Sequence, residues 1–463
     1  MVDMLPDNVL LEIFDFYRED AIFSIHGSTI VTWRWEALIQ VCRRWRCVIF
    51  GSPLRLDLRL VCTDTTPTRT SLNIWPPFPI TICNWYGVDE KSVETLIAAI
   101  ELGRDRISHI SIEGINGSAL EKLAAAMQQP LPTLKSFYLR SCDKPMMVVL
   151  PETFLGGSAP VLEYFALSGL PFPTLPKFIL SSTHIRYLLI PDIPHSGYIS
   201  PNTAVACLAA LPNLEVVFIG SRSPLSHPPQ ITPPPRTRIV LPALTKLYFW
   251  GVSEYFEDFV AQIDTPLLNH LDITFFMDLV ISDTPRLRHF IGRTESLKPL
   301  DRAVTEINHN TIWITDSDGS SRRFKLQIAC RRQDRQLSSM IQIFGQQLPL
   351  LSHVEKLEVR VFQNRGEIIE WIDNPDMDSR WLEFFHQFIA LQRLYVSAKL
   401  VASVAAALEE LTEGRTMEVL PALHSLFLEG LEPSGPVPEG IKSFVAARQL
   451  SDHHVAVQSW NPS

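Results

Sequence analysis

Three histidines, His109, His270 and His289, each stand third in a six-residue apolar pattern, and imidazoles at matched positions are raw material for a metal site. Matched phase along a repeat array, however, places them far apart in space, so solvated side chains and no bound metal are expected. The stretch "DSDGSS", Asp316 to Ser321, offers the oxygens of a calcium loop, but its glycine comes too early and no later glutamate closes it. It reads as a turn. Cys42 and Cys47 lack partner ligands. There is no phosphate-binding glycine loop, no pair of zinc histidines and no nucleophile elbow, and no nucleophile is accompanied by a base and an oxyanion donor. The chemistry on offer is recognition, so the chain is expected to be no enzyme and to need no cofactor.

The residues suited to recognition share one frame. The pattern apolar-x-x-apolar-x-apolar occurs as "ISHISI" at Ile107, "LKSFYL" at Leu134, "LEYFAL" at Leu162, "IRYLLI" at Ile185, "LEVVFI" at Leu214, "LTKLYF" at Leu244 and "LNHLDI" at Leu268. It returns at Val354, Leu391 and Leu423, with a degraded copy at Leu287. Neighbouring copies fall 28 residues apart from Leu134 to Leu162, 29 from Ile185 to Leu214 and 30 from Leu214 to Leu244, near the period of leucine-rich repeats. On a short strand the fourth and sixth positions point to one side, and the first closes the same interior. The third, fifth and seventh then face away, and there the chain places Tyr138, Arg140, Phe218, Tyr248, Trp250, Tyr395 and Phe427. Aromatic residues and arginine are favoured binding anchors, which makes these seven the candidate substrate-binding set. The competing reading is that they only pack along the sheet.

Segments with helical spacing lie between the strands, among them Ser92 to Gly103, Ala119 to Gln129 and Glu254 to Ile263. One strand and one helix cannot cover their own apolar surface. Neighbours must therefore stack, giving an α/β solenoid with a curved parallel sheet inside and helices outside. Proline adds a second periodicity: Pro132, Pro160, Pro212, Pro242, Pro266, Pro285 and Pro421 each precede the first apolar position by two residues, ending a helix and setting up a strand. This phasing argues against a conventional α/β domain. The array is irregular, with an alternating hairpin at residues 311–328 and a proline-rich exposed loop near 221–238.

The first sixty residues follow other rules. Leu5 and Pro6 open an amphipathic helix through Ile13 and Phe14, and a second follows in "WEALIQVCRRWRCVIFGS". These residues resemble an F-box: Leu5-Pro6, the Ile13-Phe14 pair, "VCRRW" at Val41 to Trp45, and then "SPLRLDL". The rest of the chain resembles the degenerate leucine-rich repeats that follow an F-box in large fungal families. That resemblance implies an exchangeable subunit of a Skp–cullin–F-box ubiquitin ligase, in which the F-box binds the Skp adaptor and the repeats recruit an unidentified protein target. Carried over by position, it makes Leu5, Pro6, Ile13, Phe14, Val41, Cys42 and Trp45 the adaptor-contact set. One departure is the interval from Glu19 to Thr32, longer than the family's; the competing reading of the seven is that several only hold the module together or dock it on the repeats.

The resemblance and the repeat pattern together imply an F-box module at 1–60, carrying an insertion near 19–32, and a repeat domain at 61–463, a division on which composition decides little. The 463 residues exceed one ordinary domain. A formal charge of -9 discourages attachment to nucleic acid phosphates. Seven dispersed cysteines suit a reducing compartment, the start lacks the charge and apolar run of a secretion signal, and no apolar run is long enough to span a bilayer. The expected location is intracellular, cytoplasmic or nuclear, without membrane attachment.

Overall fold

The computed structural model describes residues 5–15, 18–19, 24–25, 28–29, 32–33, 38–52, 58–84, 87–142, 148–221, 237–276, 284–308, 310–316, 323–330, 333–344, 348–362, 376–411, 415, 417–431 and 436–461. The fold is mixed α/β and divides into two compact units, Met1–Ser182 and Thr183–Ser463. Among the described residues sixteen strands belong to mostly parallel sheet, five in the first unit and eleven in the second. The expected boundary at residue 60 falls inside the first unit.

That unit opens with helices α1 (Asp7–Asp15) and α2 (Arg43–Phe50). Strands β1 (Arg59–Val61), β2 (Ile80–Asn84), β3 (Ile107–Ile115), β4 (Ser136–Ser141) and β5 (Tyr164–Ser168) then pair in chain order, every pair parallel. Between them run α3 (Thr68–Ile74), α4 (Glu90–Gly103) and α5 (Gly117–Ala126), each packed on the next, and α6 (Leu175–Leu180) follows β5. Asp89 starts α4 by a reciprocal cap with Ser92, whose side chain and amide hold the Asp89 carboxyl below its ordinary range.

The second unit contains β6 (Tyr187–Ile193), β7 (Val216–Ser221), β8 (Lys246–Gly251) and β9 (His270–Phe276), again parallel neighbours in order. Its later strands are β10 (Arg302–Ile307), β11 (Thr311–Asp316), β12 (Phe324–Ala329), β13 (Lys356–Val361), β14 (Arg393–Val396), β15 (Ser425–Glu429) and β16 (Ala456–Trp460). Among the described residues seven α-helices accompany them: α7 (Pro201–Ala209), α8 (Ser253–Val260), α9 (Pro285–Arg293), α10 (Gln333–Phe344), α11 (Asp376–Phe385), α12 (Val401–Glu409) and α13 (Glu439–Leu450). The expected hairpin is built into the sheet: β12 pairs parallel with β9, β11 runs antiparallel between β12 and β10, and β10 pairs parallel with β13. One reversed strand thus allows parallel pairing to resume on its far side.

The first, fourth and sixth positions of the apolar pattern form the interior. Leu134, Phe137 and Leu139 have no exposure, and Leu244, Leu247 and Phe249 are likewise buried. Helices cover this side; the Phe249 ring on β8 lies 4.6 Å from that of Phe256 on α8. The phased prolines have a more specific role than stopping helices. Leu134, Leu162, Leu214, Leu244, Leu268 and Leu423 each donate an amide to the carbonyl three residues back, with proline second in the turn. Fixed φ suits that place, so the punctuation is a β-turn aiming each strand.

One expected strand is a helix. The copy at Leu287 lies in α9, where Pro285 occupies the first turn and Leu287, Phe290 and Ile291 are buried at helical spacing. The short-range apolar pattern fits both periods there, and Gly292 removes the last strand position. His289 accordingly stands exposed on a helix and not third on a strand. The proline-rich run at 222–236, residues 53–57 of "SPLRLDL" and residues 317–321 of "DSDGSS" lie outside the described residues. So does most of the interval 19–32, of which Glu19 pairs with Thr32 and Ser24 with Thr29, both antiparallel.

Candidate functional site

Two kinds of surface gather the expected residues. The first is the helix pair α1 and α2. Helical spacing turns Leu10 and Phe14 inward, where both are buried, and leaves Ile13 38% exposed. Cys42 caps α2, its Sγ accepting from the Trp45 amide at 3.4 Å. The Trp45 ring then meets Phe14 at 4.7 Å, and these two rings join the helices. Arg44 adds a polar clasp, donating to the Leu5 carbonyl and, at 2.8 Å, to the Asp7 carboxylate. Arg46 Nε donates to the Ile39 carbonyl at 3.1 Å.

The seven adaptor candidates therefore separate by place. Phe14 is interior, Trp45 is half-buried against it, and Cys42 serves as a cap. Val41, 58% exposed in the turn before α2, and Ile13 are large apolar groups facing outward. Pro6 is exposed and Leu5 half-buried. Exposed apolar side chains on so small a helix pair are material for a partner's groove.

The other candidates lie on the sheet face opposite the helices, in each unit separately. In the first unit, β4 contributes Tyr138 and Arg140, with the Arg140 guanidinium 3.2 Å from the Glu113 carboxylate. Burial, reinforced by Glu113, pushes the Tyr138 hydroxyl above its ordinary range. In the second unit, register puts Phe218 beside Tyr248, and Trp250 closes on Phe218 edge to face at 4.9 Å. His270 joins them, 4.8 Å from the Tyr248 ring. Beside Trp250, at the carboxyl ends of β6, β7 and β8, lies an apolar pocket of about 40 Å³ lined by Ile193, Tyr198, Ile219, Phe249 and Tyr255. Burial raises both tyrosine hydroxyls.

Further along the same unit, Tyr395 and Phe427 stack 4.2 Å apart with 3° between their planes, and Trp460 meets Tyr395 edge-on at 5.4 Å. Lys356 Nζ stands 4.5 Å over the Tyr395 ring, and the Arg360 guanidinium 5.4 Å over Trp460. Between these cations Glu358, with its side chain 8% exposed, pairs with Lys356 at 2.7 Å and with Arg360. Lys356, Glu358, Arg360, Trp313 and Trp460 were not among the candidates. Trp313 was legible, since it alternates with buried Ile312 and Ile314 and so had to face outward. Trp460 sits in "AVQSW", a strand with no apolar-x-x-apolar-x-apolar copy to announce it.

This geometry supplies aromatic area, charge and hydrogen-bond donors for holding a partner. Among the described residues no three His, Cys, Asp or Glu side chains are grouped to hold a metal ion. His109 Nδ1 lies 2.8 Å from the Ser108 hydroxyl. No described helix is long and apolar enough to cross a membrane. No family model matches the chain, and no curated protein matches it at a significant level.

Proposed function

We propose that the chain is the target-recruiting subunit of a Skp–cullin–F-box ubiquitin ligase, with an F-box in its first sixty residues and an irregular leucine-rich-repeat solenoid after them. In this reading the protein catalyses nothing itself, needs no cofactor, and works in an intracellular compartment. The observation that carries it is the division of labour in the N-terminal helices: Phe14 and Trp45 hold the pair together, leaving Ile13 and Val41 outward beside the Leu5-Pro6 and "VCRRW" signatures. The repeat reading is supported by the coincidence of apolar pattern, Pro-containing turn and parallel strand within each unit. Targets would meet the aromatic face carrying Tyr138 and Arg140, or Phe218, Tyr248 and Trp250, or Tyr395 and Phe427.

The test is co-elution of the full chain with purified Skp adaptor. Replacing Ile13 and Val41 by aspartate should abolish co-elution while leaving the melting temperature within a few degrees, because exposed substitutions cost little stability. Undiminished co-elution of that variant contradicts the assignment. A second reading, a repeat scaffold that binds proteins with no ubiquitin role, is favoured by the way the Phe14 and Trp45 rings are spent on each other. Failure of the wild-type chain to bind the adaptor would select it.

A further inference from the structure

The exposed face around β13 and β14 has a charge distribution that its own residues leave unbalanced. Parallel register sets Arg302, Lys356 and Arg393 side by side on β10, β13 and β14, one strand spacing of about 4.8 Å apart. Alternation with buried Ala303, Leu357 and Leu394 turns all three to the face opposite the helices. Adjacent like charges on a sheet destabilise it unless something neutralises them. Glu358 is committed to Lys356 and Arg360, and among the described residues neither Arg302 nor Arg393 pairs with a carboxylate. In a chain of formal charge -9, this cationic row runs against the overall balance. Directly beside it lies the Tyr395–Phe427 stack, which gives apolar area next to the unpaired guanidinium groups.

We propose that this face binds a carboxylate-rich peptide segment of a partner protein, with Arg302 and Arg393 taking its acids and the Tyr395–Phe427 platform its carbon skeleton. Arginine's planar fork suits bidentate capture of carboxylates. Glu306 and Glu429 share the face with the cations, which suits a peptide of spaced acids better than the continuous phosphates of a nucleic acid. The inference rests on the recruiting face of the proposed function, naming the kind of target segment. Its test involves no adaptor, so the two can fail separately.

The experiment measures fluorescence anisotropy of labelled oligo-glutamate with the full-length protein, alongside oligo-lysine and single-stranded RNA of matched length. Oligo-glutamate should bind best and weaken as salt rises. Affinity should fall about tenfold or more in Arg302→Glu/Arg393→Glu, and by less in Arg302→Gln/Arg393→Gln, while Lys122→Glu on α5 leaves it unchanged. Thermal melts of all variants distinguish lost contacts from lost fold. Absence of oligo-glutamate binding, equal binding by the folded glutamine variant and the wild type, or preferential RNA binding would each overturn the proposal.

Discussion

Glu257 is only 8% exposed, yet its two carboxylate oxygens accept from the Arg286 and Leu287 amides at 2.8 and 2.7 Å, capping α9 from the neighbouring helix α8. Burial opposes the charge more strongly than those amides favour it and lifts the carboxyl from 4.5 to about 7. Between those values the folded chain retains a proton that the unfolded chain has released. Its contribution to stability is therefore full below pH 4.5 and lost as pH rises through about 7. Chemical denaturation across that window should show a decline of up to about 3 kcal/mol in wild type that Glu257→Gln flattens. An unchanged slope would show that Glu257 does not titrate there. At the N-terminus, Phe14→Ala should cost about 3–5 kcal/mol because the ring is buried, whereas Ile13→Ala should cost under about 1 kcal/mol, both read by urea melts.

At the scale of elements, the turns and clasps decide where each strand starts. Pro242→Ala should lower stability by about 0.5–1 kcal/mol by freeing the unfolded chain, a loss measurable by equilibrium unfolding. Arg448 on α13 is fully buried and donates at 2.8 Å to both the Val419 and Leu420 carbonyls, fixing a turn in which Leu420 adopts φ 53°. Arg448→Met should therefore cost about 2–4 kcal/mol, because it removes the charged donor from the Val419 carbonyl in a dry interior, while the Leu420 carbonyl keeps the Leu423 amide. The same element scale shows what the sequence discloses. The apolar pattern identified strands from Ile107 to Leu268, since three positions in six must be buried whatever the neighbours. It failed at Leu287, where Leu287 and Phe290 satisfy strand and helix periods alike, and the burial of Ile291 and the cap from Glu257, a contact across elements, mark the helix. Likewise "TIWITDSDGSSRRFKLQI" announced a hairpin but not its insertion between β9 and β10, because strand order depends on partners remote in sequence. Of the candidate site, outward aromatics were legible from alternation, while the Lys356–Glu358–Arg360 grouping depends on which strands become neighbours.

At the scale of the whole molecule, the proposed repeat reading makes each unit a succession of elements whose core is completed by neighbours, and disturbance should then stay local. Phe137→Ala removes a buried ring packed 5.6 Å from Phe154 and 5.8 Å from Phe165. Hydrogen exchange in that variant should quicken in β3, β4 and β5 while β14 and β15 keep their protection; uniform acceleration would show instead a single cooperative core. The proposed role asks something different of the N-terminal helices, which must carry the adaptor. Hydrogen exchange of the full-length chain with and without saturating Skp adaptor measures this most directly. The account predicts slower exchange within residues 7–15 and 38–50 upon adaptor addition, while adaptor binding that leaves those helices unprotected would contradict it.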